Sequence, residues 1–309
     1  MITLRRARPL LGTLVEIRVQ GHDEIALQRA LDEGFTTIAR IHRLMSFHES
    51  GSDVSRLNRE ATSRPVMVSP ETYRVLSIAG HISAVSNGIF DITVAAELIR
   101  RSLLPVWPDT VVPCGPASWR DVELLPEHRV RFRRPLMIDL GGIAKGFAVD
   151  QAIEALLQSS VVSVVVNAGG DLRVAGTNSE TIYRRHPFRS DQLVPSWDVY
   201  DAAVATSSVT VARAIDSTTG PHVYPADHGA PTRFASVSVK ASTCVVADAL
   251  TKVLMLGNRD AIDSLDAFDA QALIVGWDGQ ASASQPGPPG NRHRASGKQR
   301  AFATGVDYG

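Results

Sequence analysis

The chain carries only two cysteines, Cys114 and Cys244, and no Cys-x-x-Cys pair. That excludes a disulfide framework and leaves two reduced thiols, as expected in a reducing compartment. It also lacks charge of one sign: Lys plus Arg and Asp plus Glu number 32 each. A protein that grips nucleic acid by its phosphates needs a basic surplus, so no nucleic-acid partner is expected. No run reaches the roughly 18 apolar residues of a membrane span. The opening Met1-Ile2-Thr3-Leu4-Arg5-Arg6-Ala7-Arg8 has no apolar export core and no lipid-accepting cysteine, so the expected location is the cytoplasm. Internal repeats are missing as well.

What remains is ordinary globular composition: 309 residues, 44% hydrophobic and 21% charged, enough for a sizeable core. Residues 10–20 alternate and predict an opening strand. Residues 23–45 place Ala26, Ala30, Phe35, Ile38, Ile41 and Met45 at helical spacing. Residues 46–58 read as a polar loop. Ser69-Pro70 predicts a helix start and Asn87-Gly88 its end. Residues 130–140 read as a strand broken by Gly141-Gly142, with a helix over 143–157. Strands follow at 161–166 and 203–207, an edge or half-buried strand at 234–241, and a helix at 245–256. After Trp277 the chain turns to Ser, Ala, Gly, Pro and Arg, which cannot bury enough apolar area to offset ordering entropy. The expected organisation is one domain over 1–278 with a disordered tail over 279–309. Long helices beside antiparallel-looking strands indicate an α+β fold of layered antiparallel or mixed sheets.

Chemistry concentrates in Asp139-Leu140-Gly141-Gly142-Ile143-Ala144-Lys145-Gly146-Phe147-Ala148-Val149-Asp150. A strand end, two glycines and a helix start make a turn where backbone N–H groups attract a phosphate. Lys145 opposes the helix dipole there unless an anion is bound. A plain strand-to-helix turn with a surface lysine fits the same residues, and both Walker A and dinucleotide spacings fail. Asn167-Ala168-Gly169-Gly170-Asp171 is a second glycine pair, an ordinary β-turn or part of a shared nucleotide cleft. Asp248 lies in an apolar helix with Thr251 and Lys252 at i+3 and i+4. It is either an internal Asp–Lys pair or a hard-cation ligand. His222 in Gly220-Pro221-His222-Val223 carries no catalytic signal by position alone.

Six segments in order resemble the FAD:protein FMN transferases of the ApbE family, from about Arg8 to Gly257. They are Leu11-Gly12-Thr13; Met45-Ser46-Phe47 through Leu57-Asn58; Gly88-Ile89-Phe90-Asp91-Ile92-Thr93; residues 139–150; residues 167–171; and Ala205-Thr206-Ser207 with Ala247-Asp248-Ala249-Leu250. The resemblance implies an ApbE-like, T-fold-related architecture. It implies FAD as substrate, Mg²⁺ as cofactor, and FMN transfer to a Thr or Ser hydroxyl of an acceptor protein with release of AMP. By the same resemblance, Leu11, Met45, Ser46, Phe47, Asp91, Gly142, Lys145, Asp150 and Gly169 lie along FAD. Ala144, Asp248 and Thr251 would hold the metal. Asp248 and His222 would be catalytic, His222 taking the acceptor's proton. The chain departs from the family at Leu11 for Met, Ser208 for Gly, Pro225-Ala226 for Asp-Pro, and Lys252 for a metal-binding Thr. Either Thr251 serves from nearly the same helix face, or the Lys252 ammonium partly replaces the metal's charge. A non-catalytic FAD-binding protein and a metal-dependent FAD pyrophosphatase are the alternatives.

Overall fold

The structure is a computed structural model, and it describes residues 1–107, 110–208, 234–257 and 259–284. It opens on a hairpin, β1 (Ile2–Leu10) and β2 (Thr13–Gly21), joined by Leu11-Gly12. Both joining residues have positive φ, 55° and 70°, as a two-residue turn between twisted strands requires. The sequence reading found only one strand here, because Arg5-Arg6-Ala7-Arg8 interrupts the apolar alternation of Ile2 and Leu4, which pack on the core together with Leu10. In β2, Val15, Ile17 and Val19 are fully buried.

Helix α1 (Glu24–Met45) starts where the Asp23 carboxylate accepts from the N–H groups of Ile25 and Ala26, at 2.9 and 3.2 Å. Its stripe of Leu27, Leu31, Phe35, Ile38 and Met45 is buried. The stretch expected as a loop contains α2 (Asp53–Glu60), capped by the Ser52 hydroxyl on the Ser55 N–H at 3.0 Å. Its polar face hid it; Val54 and Leu57 still reach the core. Strand β3 (Val66–Met67) leads to α3 (Pro70–Val85), capped by Ser69, and α4 (Ala95–Arg100) follows. Strands β4 (Val122–Leu125) and β5 (Arg129–Phe132) join β3 in a small antiparallel sheet. The strand expected over 130–140 therefore stops at Phe132. Pro135 has no N–H to give a ladder. The next residues are held by side chains instead, with Asn58 bonded to both the N–H and C=O of Ile138 at 2.8 and 2.9 Å.

Helix α5 (Ala144–Leu157) feeds β6 (Val161–Ala168) and β7 (Asp171–Gly176). The turn between those strands is Gly169-Gly170, both at positive φ. A long hairpin, β8 (Glu180–His186) and β9 (Arg189–Val199), precedes β10 (Ala202–Ser208) and β11 (Ser236–Ala241). Then come α6 (Cys244–Leu256), the short α7 (Asp263–Ala267), β12 (Gln271–Val275) and β13 (Ala281–Ser284). Part of the segment expected to be disordered is thus an edge strand on β12. β11 is an interior strand rather than an edge, because Ser236 and Ser238 are small enough to be buried opposite Val237 and Val239.

The main sheet has eight strands in the order β1-β2-β6-β7-β10-β11-β12-β13, every neighbouring pair antiparallel. The fold is α+β. α5 packs between α1 and α6 on one face, over a core that includes Ile17, Phe35, Phe147 and Val166. On the other face a smaller cluster, Leu172, Val174, Val199, Ala202 and Val204, packs with Trp197 of β9.

Candidate active site

The ionisable groups singled out in the sequence gather where α5 and α6 meet. Gly146 makes that meeting close: a Cβ there would strike the Cys244 carbonyl and lie 2.8 Å from the Asp248 Cβ. No other residue type permits this approach. Each helix then sends a carboxylate to the other's first turn. Asp150 of α5 accepts from the Cys244 and Val245 N–H groups at 2.9 and 2.8 Å. Asp248 of α6 accepts from the Gly146 N–H at 3.0 Å. Both satisfy orphan donors at a helix start, where the macrodipole favours negative charge.

Their cationic partners differ. Arg173 bonds Asp150 at 2.9 Å, while the Lys252 ammonium pairs with Asp248 one turn along the same helix. Lys145 pairs in turn with Asp171, the first residue of β7. Burial opposes the Lys145 charge, but Asp248 and Asp171 outweigh it and hold the ammonium above the ordinary lysine pKa. Burial raises the Asp171 carboxyl and Asp248 adds to it, while the two lysines pull the other way. Burial also pushes the Cys244 thiol well up, which keeps it protonated and inert.

A cavity of about 800 Å³ opens beside this cluster, and both Lys145 and Lys252 line it. That volume lies within the roughly 300–1,000 Å³ of small-molecule sites. Leu11, Met45, Ser46, Phe47, Gly142 and Ala144 line it too. Asp91, Asp150, Gly169, Asp248 and Thr251 do not form its wall. Asp91 binds the N–H and hydroxyl of Thr93, both at 2.8 Å, and the Trp119 N–H at 3.0 Å. Gly169 is a hairpin turn packed on Thr13; what the second glycine pair contributes is the placement of Asp171 on Lys145. Thr251 is fully buried, its hydroxyl 2.7 Å from both the Asp248 carbonyl and the Ser207 hydroxyl. His222 lies outside the described residues.

The wall also holds His42 and His48, which sequence reasoning passed over, and Asp139, Thr206 and Ser208, which it quoted within motifs without a site role. His48 follows directly on Met45-Ser46-Phe47, and that adjacency was the available signal. Asp139 accepts from the Gly141 N–H at 2.9 Å; burial raises its carboxyl, opposed first by that bond and then by His48.

The expected metal ligands were tested against this geometry. Asp248 has one oxygen on Gly146 and the other on Lys252, and its side chain is fully buried. The Thr251 hydroxyl is engaged as described. Among the described residues no group of three His, Cys, Asp or Glu side chains could hold a metal ion. The donor set, as it stands, does not fit a divalent cation at Asp248.

Fold and cavity together define an α+β protein with a cavity of about 800 Å³ lined by two lysines. The family model that matches residues 11–274 is that of the ApbE family, and the chain belongs to it. It is 27% identical over 296 residues to the FAD:protein FMN transferase of Vibrio cholerae, covering 86% of this chain and 85% of that one. A Chlamydia trachomatis protein of the same name is 29% identical over 234 residues, covering 69% and 71%. The crystal structure of the ApbE protein from Thermotoga maritima matches with a TM-score of 0.79 at 26% identity, over 92% of this chain and 97% of that one. The flavin transferase ApbE from Vibrio cholerae matches at 0.76 and 23% identity, over 92% and 97%, a likeness of fold. No helix among the described residues is long and apolar enough to cross a membrane.

Proposed function

We propose that this chain is a FAD:protein FMN transferase, an enzyme that joins FMN from FAD to a Thr or Ser hydroxyl of an acceptor protein and releases AMP. The observation that carries the reading is the cavity wall. It sets two ammonium groups, Lys145 and Lys252, beside an apolar surface of Ile41, Met45, Phe47, Leu98 and Leu103. A pyrophosphate flanked by flat ring systems matches that division. Membership of the ApbE family and relatives named FAD:protein FMN transferase support the same substrate.

In the reaction the acceptor oxygen attacks the FMN phosphorus, the bond from that phosphorus to the AMP phosphate oxygen breaks, and AMP leaves with the bonding pair. The hydroxyl proton passes to a base, the role that the resemblance assigns to His222. Catalysis of this kind rests on positioning and on neutralising phosphate charge. Lys145 is paired with Asp171 and lines the site before any ligand arrives. The resemblance assigns part of that neutralisation to Mg²⁺, but the donors at Asp248 do not fit it, and no step here is routed through it. One hydrophobic core running from Val15 to Ile274 supports reading residues 1–278 as a single working unit. Two free cysteines support the cytoplasm as its location.

Incubation with FAD and candidate acceptor proteins should yield an adduct heavier by one FMN phosphoryl group. Bound FAD with every acceptor unmodified would overturn the transferase reading. Free FMN and AMP without protein labelling would select the pyrophosphatase instead.

A further inference from the structure

Asp171, Asp248, Lys145 and Lys252 form a closed set of charges. Two carboxylates face two ammonium groups, so the cluster is neutral. The carboxylates are buried, with side-chain exposures of 4% for Asp171 and 0% for Asp248. The two lysines are the more accessible members of the set: the Lys145 side chain is 34% and the Lys252 side chain 15% exposed, and both residues line the cavity. The carboxylates therefore lie behind the wall, and the lysine side chains that pair with them form part of it.

Lys252 is held in this position from two sides. Asp248 lies four residues earlier on α6, the favourable order for an acid–base pair on a helix. Asp248 is itself held by the Gly146 N–H. The Lys252 stem passes under the glycine turn, its Cγ 4.0 Å from where a Cβ on Gly142 would stand. A divalent ion at Asp248 would have to displace this ammonium, and would then add two charges beside Lys145 with no new carboxylate to balance them. At the short separations of a buried cluster such repulsion is large.

We infer that the Lys252 ammonium is this chain's resident cation, meeting the FAD pyrophosphate itself, so that FAD binds with no divalent ion at Asp248. The inference rests on the FAD reading above. It makes Lys252 a substrate-binding residue and Asp248 the residue that positions it. Lys252 and Lys145 would flank one anion from two different helices, α6 and α5, which a single surface lysine cannot do.

The test is FAD titration of the purified full chain, followed by flavin fluorescence, in EDTA and then in millimolar MgCl₂. The expected result is the same affinity within about twofold in both. Calorimetric titration of MgCl₂ into the FAD-loaded protein should give no saturable binding. Lys252→Met keeps the apolar stem and removes the charge. It should lose at least tenfold in FAD affinity in EDTA, and MgCl₂ should recover most of that loss. Wild-type affinity that rises tenfold or more with MgCl₂, or saturable Mg²⁺ binding to the wild-type complex, overturns the inference and leaves the FAD reading standing. So does Lys252→Met binding FAD in EDTA as the wild type does. No FAD binding in either buffer overturns the FAD reading, and this inference with it. The wild-type arms decide the matter even if Lys252→Met fails to fold.

Discussion

Asp150 and Asp248 occupy matching places in the α5–α6 contact, and each reaches across to the first turn of the other helix. Their surroundings separate them. Asp150 takes two backbone N–H groups and Arg173, and it stays off the cavity. Asp248 takes one backbone N–H and Lys252, a residue of the cavity wall. The same device, a carboxylate at a helix start, therefore closes the fold at one site and aims a cation at a ligand at the other. The partner decides: an arginine away from the cavity, or a lysine that lines it.

The comparison is broken most severely at its structural half. Asp150→Ala should cost about 3–5 kcal/mol in urea unfolding, because it leaves a buried guanidinium and two helix N–H groups without acceptors. A loss below about 1 kcal/mol would mean that Asp150 is not a structural cap. Asp248→Ala should leave a folded protein, since the freed Lys252 ammonium can turn to cavity water. Its expected signature is loss of FMN transfer by more than a hundredfold, at a stability cost of about 1–3 kcal/mol. Retained transfer would make Asp248 as structural as its counterpart. Gly146→Ala strikes both halves at once, since its methyl meets backbone. It should cost about 1–3 kcal/mol or more by unfolding, with FAD affinity falling in parallel.

Asp139 sharpens the comparison at the smallest scale. Burial raises its folded-state pKa above the ordinary 3.8, so the native state binds the proton more tightly than the unfolded chain. Its contribution is then fully present below pH 3.8 and is lost as pH rises through the raised folded value. Asp139→Asn keeps an acceptor for the Gly141 N–H and removes the charge. At pH 7 it should match or exceed wild-type stability by up to about 1 kcal/mol, and the gain should shrink as pH falls toward the ordinary carboxyl range. A pH-independent difference would assign the effect to packing.

The glycine turn and its helix were readable from residues 139–150 alone, because glycine and helix signals are local. Helix α1 was readable for the same reason, with Asp23 before a repeating apolar stripe. The wall residues Leu11 and Phe47 came from resemblance alone, whereas Gly142 and Lys145 were also singled out by the turn they form. Helix α2 was missed because eight polar-rich residues carry too short a period to register. The strand expected to Leu140 failed because Asn58, more than seventy residues away, holds that backbone where a ladder would have.

By itself the sequence determined the local pieces: two-residue turns at positive φ, capped helices, alternating strands, and an Asp and a Lys one helical turn apart on α6. It also determined, through ordered segments, the family. Only the tertiary structure decided which charges meet. Asp150 reaches residues 244 and 245, Asp248 reaches Gly146, and Lys145 reaches Asp171. These partners are distant in the chain and become neighbours because a glycine lets two helices touch. Burial then makes each choice of partner consequential, since a charge removed from water must be answered by another. The glycine turn was first readable as a phosphate-binding element or a plain turn. In the fold its first helical N–H groups are partly answered by Asp248, and the task of meeting an anion moves to Lys145 and Lys252.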